Sequence, residues 1–317
     1  MIKRRLPGTD LELSVVGMGC WAIGGLWWGD DVTAERSRDA IEQALALGIN
    51  WFDTAPLYGH GHADEILVET LGGRRHDVII ATKVGVRWDG EGAHARSDLT
   101  PENIFKDTEL SLTRLRLSHI DLLQVHWPCQ SDTPLEATLG ALTQLQKQGK
   151  IRYFGLCNYA AEDLSKARQI APIASLQTPY SMLRREFERD LQAICAGVAP
   201  LGALIYEPLC RGLLTGKFAA TQRFSDSDLR ARDDRFAGPR YLRALTIVSR
   251  LALVAKQIHV PLAALALAWV LRQPGVTAAI AGAKGPEQVR DHVLALDLID
   301  NQTIWPQVQR IVDNFRG

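Results

Sequence analysis

Along the chain, short runs of apolar and β-branched residues alternate with stretches in which apolar positions recur every three or four residues. The short runs fall at 15–19, 49–53, 78–83, 120–126, 151–157, 174–177, 203–207 and 278–282, and they predict eight strands. Helical periodicity occupies 34–47, 63–71, 101–115, 135–148, 161–169, 186–196, 241–258, 261–271 and 286–296. Thr100 and Pro101 supply a cap and a first-turn proline for one of these helices. Gly48 and Gly149 stand where two others should stop. The strand runs are nearly all apolar, as expected of a sheet covered on both faces. Eight strands alternating with helices predict an α/β fold, a (β/α)8 TIM barrel, with a doubly wound sheet as the alternative. The stretch MIKRRLPGTDLELS predicts a β-hairpin ahead of the barrel, with Gly8 in its turn. No linker interrupts the pattern, so residues 1–317 are expected to form a single domain. Residues 211–239 form a long, charged loop, a length usually kept for function or mobility.

Composition narrows the function classes. The 317 residues are 46% hydrophobic, enough for a large core, and 36 basic residues balance 36 acidic ones. A nucleic-acid or anionic-membrane partner would leave a basic excess. The N-terminal basic residues precede no apolar segment of the secretory kind. Residues 251–271 come nearest to a membrane span, but Lys256, Gln257 and His259 interrupt them. Cys20, Cys129, Cys157, Cys195 and Cys210 lack a framework spacing and are expected to be reduced thiols in a cytoplasmic protein. The absence of a Cys-x-x-Cys pair argues against a structural zinc site.

Candidate chemistry sits at the strand ends, where barrels of this kind place their active sites. INWFD ends on Asp53, VIIATK on Lys83 and DLLQVH on His126, and Tyr58 follows in the loop after Asp53. Burying Lys83 or Asp53 alone would be costly, so the two are expected to pair. Reduction of a carbonyl needs a proton for the oxygen as hydride reaches the carbon. A tyrosine with its ordinary pKa of about 10 is a poor donor, and a neighbouring ammonium should lower that value. His126 is placed to orient the oxygen or relay a proton. Trp21, Trp27, Trp28, Trp88 and Trp127 lie in loops after strand ends and suggest apolar pocket walls. Trp21 and Trp127 are the first choices, with Trp27 and Trp88 beside them, whereas Trp28 reads as surface packing.

These segments resemble the aldo-keto reductases, in particular bacterial members of the branch related to potassium-channel β subunits. GINWFDTAPLYGHGHADEILVETLG resembles the first signature of that family, IIATKVG its lysine segment, and DLLQVHWP its histidine strand. GKIRYFGLCNY, YEPLCRGLLTGKF and IAGAKGPEQVRDH resemble its asparagine strand and its two cofactor-binding segments. The resemblance runs from about Lys3 to about Leu296. It implies a (β/α)8 barrel, NADPH as cofactor with NADH as the alternative, and a catalytic tetrad of Asp53, Tyr58, Lys83 and His126. It also implies a cofactor site. Asn158, Gln177 and Cys157 would meet the nicotinamide carboxamide, with Cys157 replacing a serine, and Tyr206 would stack on the ring. Trp21 and Asp53 adjoin that end. Glu207, Leu209, Arg211 and Lys217 fall at the pyrophosphate, where an acid such as Glu207 looks unfavourable. Gly282, Lys284, Gln288, Asp291 and His292 fall at the adenosine phosphate, with His292 replacing an asparagine.

Other readings compete. Gly17-Met18-Gly19-Cys20-Trp21-Ala22 fits a degenerate dinucleotide fingerprint, but the glycine-rich AIGGLWWGD that follows is no helix start. His60 and His62 could hint at a hydrolytic metal site, yet they flank a glycine and lack a third ligand at characteristic spacing. The resemblance also allows a cofactor-sensing module that binds a partner protein, as in the channel β subunits.

Overall fold

The computed structural model describes residues 1–29, 32–88 and 95–315. Asp30, at the end of the glycine-rich segment, lies outside them. The predicted N-terminal hairpin is present as β1 (Lys3–Arg5) paired antiparallel with β2 (Glu12–Ser14). There follow β3 (Val16–Gly19), β4 (Trp51–Asp53), β5 (Ile79–Val84), β6 (Val86–Trp88), β7 (Ala95–Ser97) and β8 (Ile120–Val125). Then come β9 (Ile151–Cys157), β10 (Ser175–Pro179), β11 (Gly202–Tyr206) and β12 (Val276–Gly282). Strands β3, β4, β5, β8, β9, β10, β11 and β12 close into a parallel barrel in that order. Adjacent strands that follow each other in sequence are the signature of the (β/α)8 architecture, and the doubly wound alternative is excluded.

The period-2 geometry of a strand sorts its side chains between two environments. Phe52, Ile80, Leu123 and Ile205 face outward and join the large core shared with the helices. Their neighbours Trp51, Ala81, Leu122 and Leu204 form a separate inner core. One step further along, the same inward rows carry Asp53, Lys83 and Gln124, so the barrel interior is apolar at one end and polar at the other. The hairpin stoppers the apolar end: Leu6, Leu11 and Leu13 are fully or almost fully buried against the inner core. The indole of Trp51 donates to the Ser14 carbonyl at 2.8 Å, which ties hairpin to barrel.

Three helix boundaries expected from the sequence are borne out at their caps. The Thr100 side chain accepts from the Asn103 amide with Pro101 in the first turn, and Gly48 and Gly149 adopt positive φ where helices end. The stretch expected as one helix over 186–196 is instead two, Glu186–Asp190 and Gln192–Ala196, broken at Leu191 with φ −120°. Phe187, Leu191 and Cys195 remain buried, so the apolar spacing survives although the hydrogen-bond ladder does not. The helix expected from 241 starts earlier, at Gly238, with Pro239 in its first turn. The antiparallel pair β6–β7 and a closing helix, Trp305–Asp313, were not anticipated. Helix Leu262–Leu271 is apolar all round because every residue in it is buried. Among the described residues no single helix is long and apolar enough to cross a membrane.

The Gly17–Gly19 pattern has an explanation in packing. A Cβ on Gly17 would lie 2.1 Å from Cε2 of Trp51, so the glycine makes room for the indole that fills the barrel. Gly17→Ala is therefore expected to destabilise the protein by about 1–3 kcal/mol through overpacking. Urea denaturation checks this, and an unchanged midpoint would mean that the indole has room to move.

Candidate functional site

The polar end of the barrel is built around Lys83. Its ammonium group has three protons and donates to three acceptors: Asp53 Oδ2 at 2.7 Å, the Thr54 carbonyl at 3.0 Å and Tyr58 Oη at 3.2 Å. The side chain is 1% exposed. Asp53 in turn accepts from Gln177 Nε2 at 2.7 Å and Gln124 Nε2 at 3.4 Å, so both carboxylate oxygens are engaged. The expected Asp53–Lys83 pair is thus present, inside a network that also recruits the glutamines.

Tyr58 reaches Lys83 because the chain turns sharply beneath it. Gly59, His60 and Gly61 all have positive φ. A Cβ on Gly59 would meet the Gly24 carbonyl oxygen at 2.3 Å, so only glycine lets this turn press against the 22–24 turn. Trp21 lies nearly parallel to the Tyr58 ring at 6.0 Å, and His126 approaches the same ring edge-on at 6.0 Å. The main-chain carbonyl of His126 accepts from Asn158 Nδ2 at 3.0 Å, and Asn158 Oδ1 accepts from Tyr206 Oη at 2.8 Å.

Burial decides the protonation states. It pushes the Tyr58 pKa up, and the Lys83 cation only partly offsets it. The sequence-based expectation that Lys83 would leave Tyr58 with a lowered pKa is corrected here: desolvation of the phenolate outweighs the attraction. Burial alone would lower the Lys83 pKa, but the Asp53 carboxylate and the other groups around it hold it above its ordinary value. Burial and the Lys83 cation hold His126 well below the ordinary imidazole range, so it is neutral. At neutral pH the group is therefore a neutral tyrosine, a lysine cation and a neutral histidine.

A cavity of about 510 Å³ opens over this group. Asp53, Tyr58, His126, Asn158 and Gln177 lie at one end with Trp21, Trp27 and Trp127. Tyr206, Glu207, Leu209, Arg211 and Lys217 also line it, as do Gly282, Lys284, Gln288, Asp291 and His292. Nearly every residue singled out from the sequence is thus brought to one cavity. Lys83 and Cys157 stand behind the wall, both almost fully buried. Trp88 is not among the lining residues; it stacks on His60 at 5.3 Å, and His60 in turn meets Trp27 edge-on. Trp28, expected only as surface packing, does line the cavity and meets Trp21 edge-on at 5.1 Å. His60 and His62 have different contacts, since His62 lies 3.7 Å from Glu65.

Sequence reasoning singled out Glu207 and Arg211 but missed Arg230 and Arg235 of the 211–239 loop and the ion pairs that join them. Glu207, which looked out of place, is an ion-pair hub: its carboxylate holds Arg211 and Arg235 at 2.6 Å each, and Arg184 lies at 3.8 Å. Arg230 lines the cavity, is paired with Asp228, and lies over the rings of Phe224, Phe218 and Trp28. Lys284 Nζ donates to the Trp28 carbonyl at 2.5 Å, while its amide donates to Gln288 Oε1 at 2.8 Å. The cavity thus joins two amide side chains, Asn158 and Gln177, with the cations Arg211, Lys217, Arg230 and Lys284.

Known proteins resemble this chain along nearly its whole length. The profile of the aldo/keto reductase family matches residues 15–311. The aldo-keto reductase YhdN of Bacillus subtilis is 37% identical over 98% of this chain and 92% of its own length. A putative voltage-gated potassium channel subunit beta of Schizosaccharomyces pombe is 31% identical over 98% of this chain and 92% of its own. The solved glycerol dehydrogenase AKR11B4 from Gluconobacter oxydans superposes with a TM-score of 0.87 at 36% identity, covering 98% of this chain and 94% of that one.

His292 gives the cavity a pH signature. Burial depresses its pKa from 6.5 to about 4. The unfolded chain then takes up a proton that the folded one refuses, so stability is complete above about pH 6.5 and falls as the pH drops toward about 4. His292→Asn is expected to shrink the loss of stability between about pH 7.5 and about pH 5 by about 2 kcal/mol relative to the unaltered protein. Denaturant melts at the two pH values measure the difference, and identical losses in both proteins would refute it.

Proposed function

Because the chain belongs to the aldo/keto reductase family, we propose that this oxidoreductase reduces small aldehydes or ketones with NADPH, Tyr58 supplying the proton. The observation that carries this reading is the Lys83 ammonium bonded at once to Asp53, the Thr54 carbonyl and the Tyr58 hydroxyl, directly behind the cavity wall that Asp53 and Tyr58 form. The nicotinamide supplies hydride chemistry when bound; the rest is the work of side chains. Tyr58, kept protonated by burial, donates its proton to the carbonyl oxygen as negative charge develops there. Lys83 stabilises the phenolate that remains, and Asp53 keeps the lysine cationic. His126 is neutral and positions the oxygen by hydrogen bonding rather than by charge.

Asn158 and Gln177 are the groups to orient a carboxamide, and Tyr206, held by Asn158, is the ring to lie against the nicotinamide. Arg211 and Lys217 are assigned to the diphosphate, with Gln288 and Lys284 toward the adenosine end. Lys284 favours a 2′-phosphate and hence NADPH, with NADH as second choice. Trp21, Trp27 and Trp127 give the reacting end apolar walls, which suit a small neutral carbonyl. The solved relative described as a glycerol dehydrogenase supports the reverse direction as well, alcohol oxidation.

Tyr58→Phe is expected to lower the turnover of an aldehyde by about 10²- to 10⁴-fold while leaving the NADPH dissociation constant nearly unchanged. Stopped-flow reduction and a fluorescence titration separate the two quantities. Equal loss of both would remove Tyr58 from the proton-donor role. Background NADPH oxidation across a broad carbonyl panel, with NADPH still bound, would favour the partner-binding module instead. Lys284→Met is expected to weaken NADPH by about tenfold while changing NADH little, since only one of them carries the extra phosphate. Equal weakening of the two would place the lysine elsewhere.

A further inference from the structure

A negative side chain in a diphosphate site should repel the ligand, and the simplest electrostatics predicts that removing Glu207 would tighten binding. The surroundings of Glu207 argue the opposite. Its side chain is 7% exposed, and its two oxygens are divided between two arginines. Oε1 accepts from Arg211 Nε, and Oε2 accepts from Arg235, each at 2.6 Å. Burial would raise the Glu207 pKa, but Arg211 and Arg235 outweigh it and hold the group ionised. Asp233 completes the cluster with bonds to Arg211 at 3.0 Å and Arg235 at 2.7 Å. Arg184 flanks the cluster, 3.8 Å from Glu207 and 3.9 Å from Glu186, so the guanidinium groups and carboxylates here balance.

The backbone here is strained. Glu207, Cys210 and Arg211 all have φ near +50°, in the left-handed region, although none is glycine. Such conformations persist only where the surroundings impose them. The Glu207–Arg211 pair joins the two ends of that turn. It also fixes the direction of Arg211, whose guanidinium lies 5.5 Å from the Trp21 ring centroid and lines the main cavity. There is somewhere else for it to go. A second cavity of about 460 Å³ shares Arg184 and Arg211 with the first and is also bordered by Asp233 and Arg235. Arg211 already bonds Asp233 at 3.0 Å, so without Glu207 its remaining carboxylate partner is the one that borders the second cavity.

We propose that Glu207 is a positioning residue for the diphosphate of the dinucleotide: by gripping Arg211 and Arg235 it holds the strained turn and keeps Arg211 directed into the main cavity. The proposal rests on the reading of that cavity as a nicotinamide-dinucleotide site. It concerns an acid acting through the cations it orders, not through contact with the ligand. Removing it loosens binding even though it removes a negative charge.

Calorimetric titration of the full chain with NADPH decides the sign. Glu207→Gln is expected to raise the dissociation constant by about tenfold or more with about one site per chain retained. Glu207→Asp should recover part of that affinity. Arg235→Gln provides a second route, because Arg235 is not among the residues lining the main cavity. It should weaken NADPH in the same direction, and the double variant should lose less than the two single losses combined. An unchanged or tightened dissociation constant in Glu207→Gln would overturn the proposal. So would a fall in the number of sites at unchanged affinity, which would mark a purely structural role, read independently from the melting temperature of the ligand-free protein. If Glu207→Gln does not fold, the Arg235→Gln titration decides alone, and unchanged affinity there overturns the proposal. If the unaltered chain binds no nicotinamide dinucleotide, the functional reading falls and the proposal with it. Binding by the unaltered chain with no change in the variants removes the proposal alone.

Discussion

The pairing of Lys83 with Asp53 inside the barrel is the constraint on which the site depends. Neither charge is tolerable there by itself, since an unpaired buried ion costs about 3–5 kcal/mol. Together they define the polar end of the barrel and dictate what surrounds them. Gln124 and Gln177 are drawn in to satisfy the second carboxylate oxygen. The Thr54 carbonyl and the Tyr58 hydroxyl complete the ammonium. The apolar inner core below has the opposite requirement, and Gly17 is small so that Trp51 can fill it. One barrel therefore contains a dry, close-packed half and a hydrogen-bonded half, separated by a single step along each inward row of side chains.

Much of this was readable in the sequence, for a definite reason. Strand ends are visible wherever an apolar run stops, and Asp53, Lys83 and His126 each stop one. In a barrel, adjacent strand ends are adjacent in space, so three separate terminations became one site. Helix caps were legible on the same local terms. The residues expected on the cofactor side came from resemblance rather than from periodicity, and the cavity gathers most of them. What escaped was the set of interactions between loops. Glu207 and Arg235 are twenty-eight positions apart, Trp28 forms a β-bridge with Asp228, and neither relation leaves a repeat in the chain. The β6–β7 pair was hidden for a like reason, each strand being only three residues long.

The protonation states show a different limit. Residue identity says that a lysine lowers the pKa of a nearby tyrosine, and it does so here. It does not say how much water the tyrosine loses. Desolvation proved the larger effect for Tyr58. The magnitude that settles the direction belongs to the depth of the pocket, and only the folded chain reveals it. Glu207 carries the same lesson with the sign reversed, because an acid that seemed misplaced beside phosphates is an anchor for the cations around it.

The saturated environment of Lys83 has a further chemical consequence. Amines and aldehydes condense readily to imines, and a pocket that concentrates carbonyl compounds beside a lysine risks inactivating itself. Condensation requires a nitrogen lone pair. The Lys83 nitrogen has none to offer, because all its protons are retained and each is engaged by an acceptor. Its pKa is raised rather than lowered, the reverse of what a nucleophilic lysine needs. The geometry that bonds the ammonium to Tyr58 thus also makes the lysine inert toward carbonyl compounds.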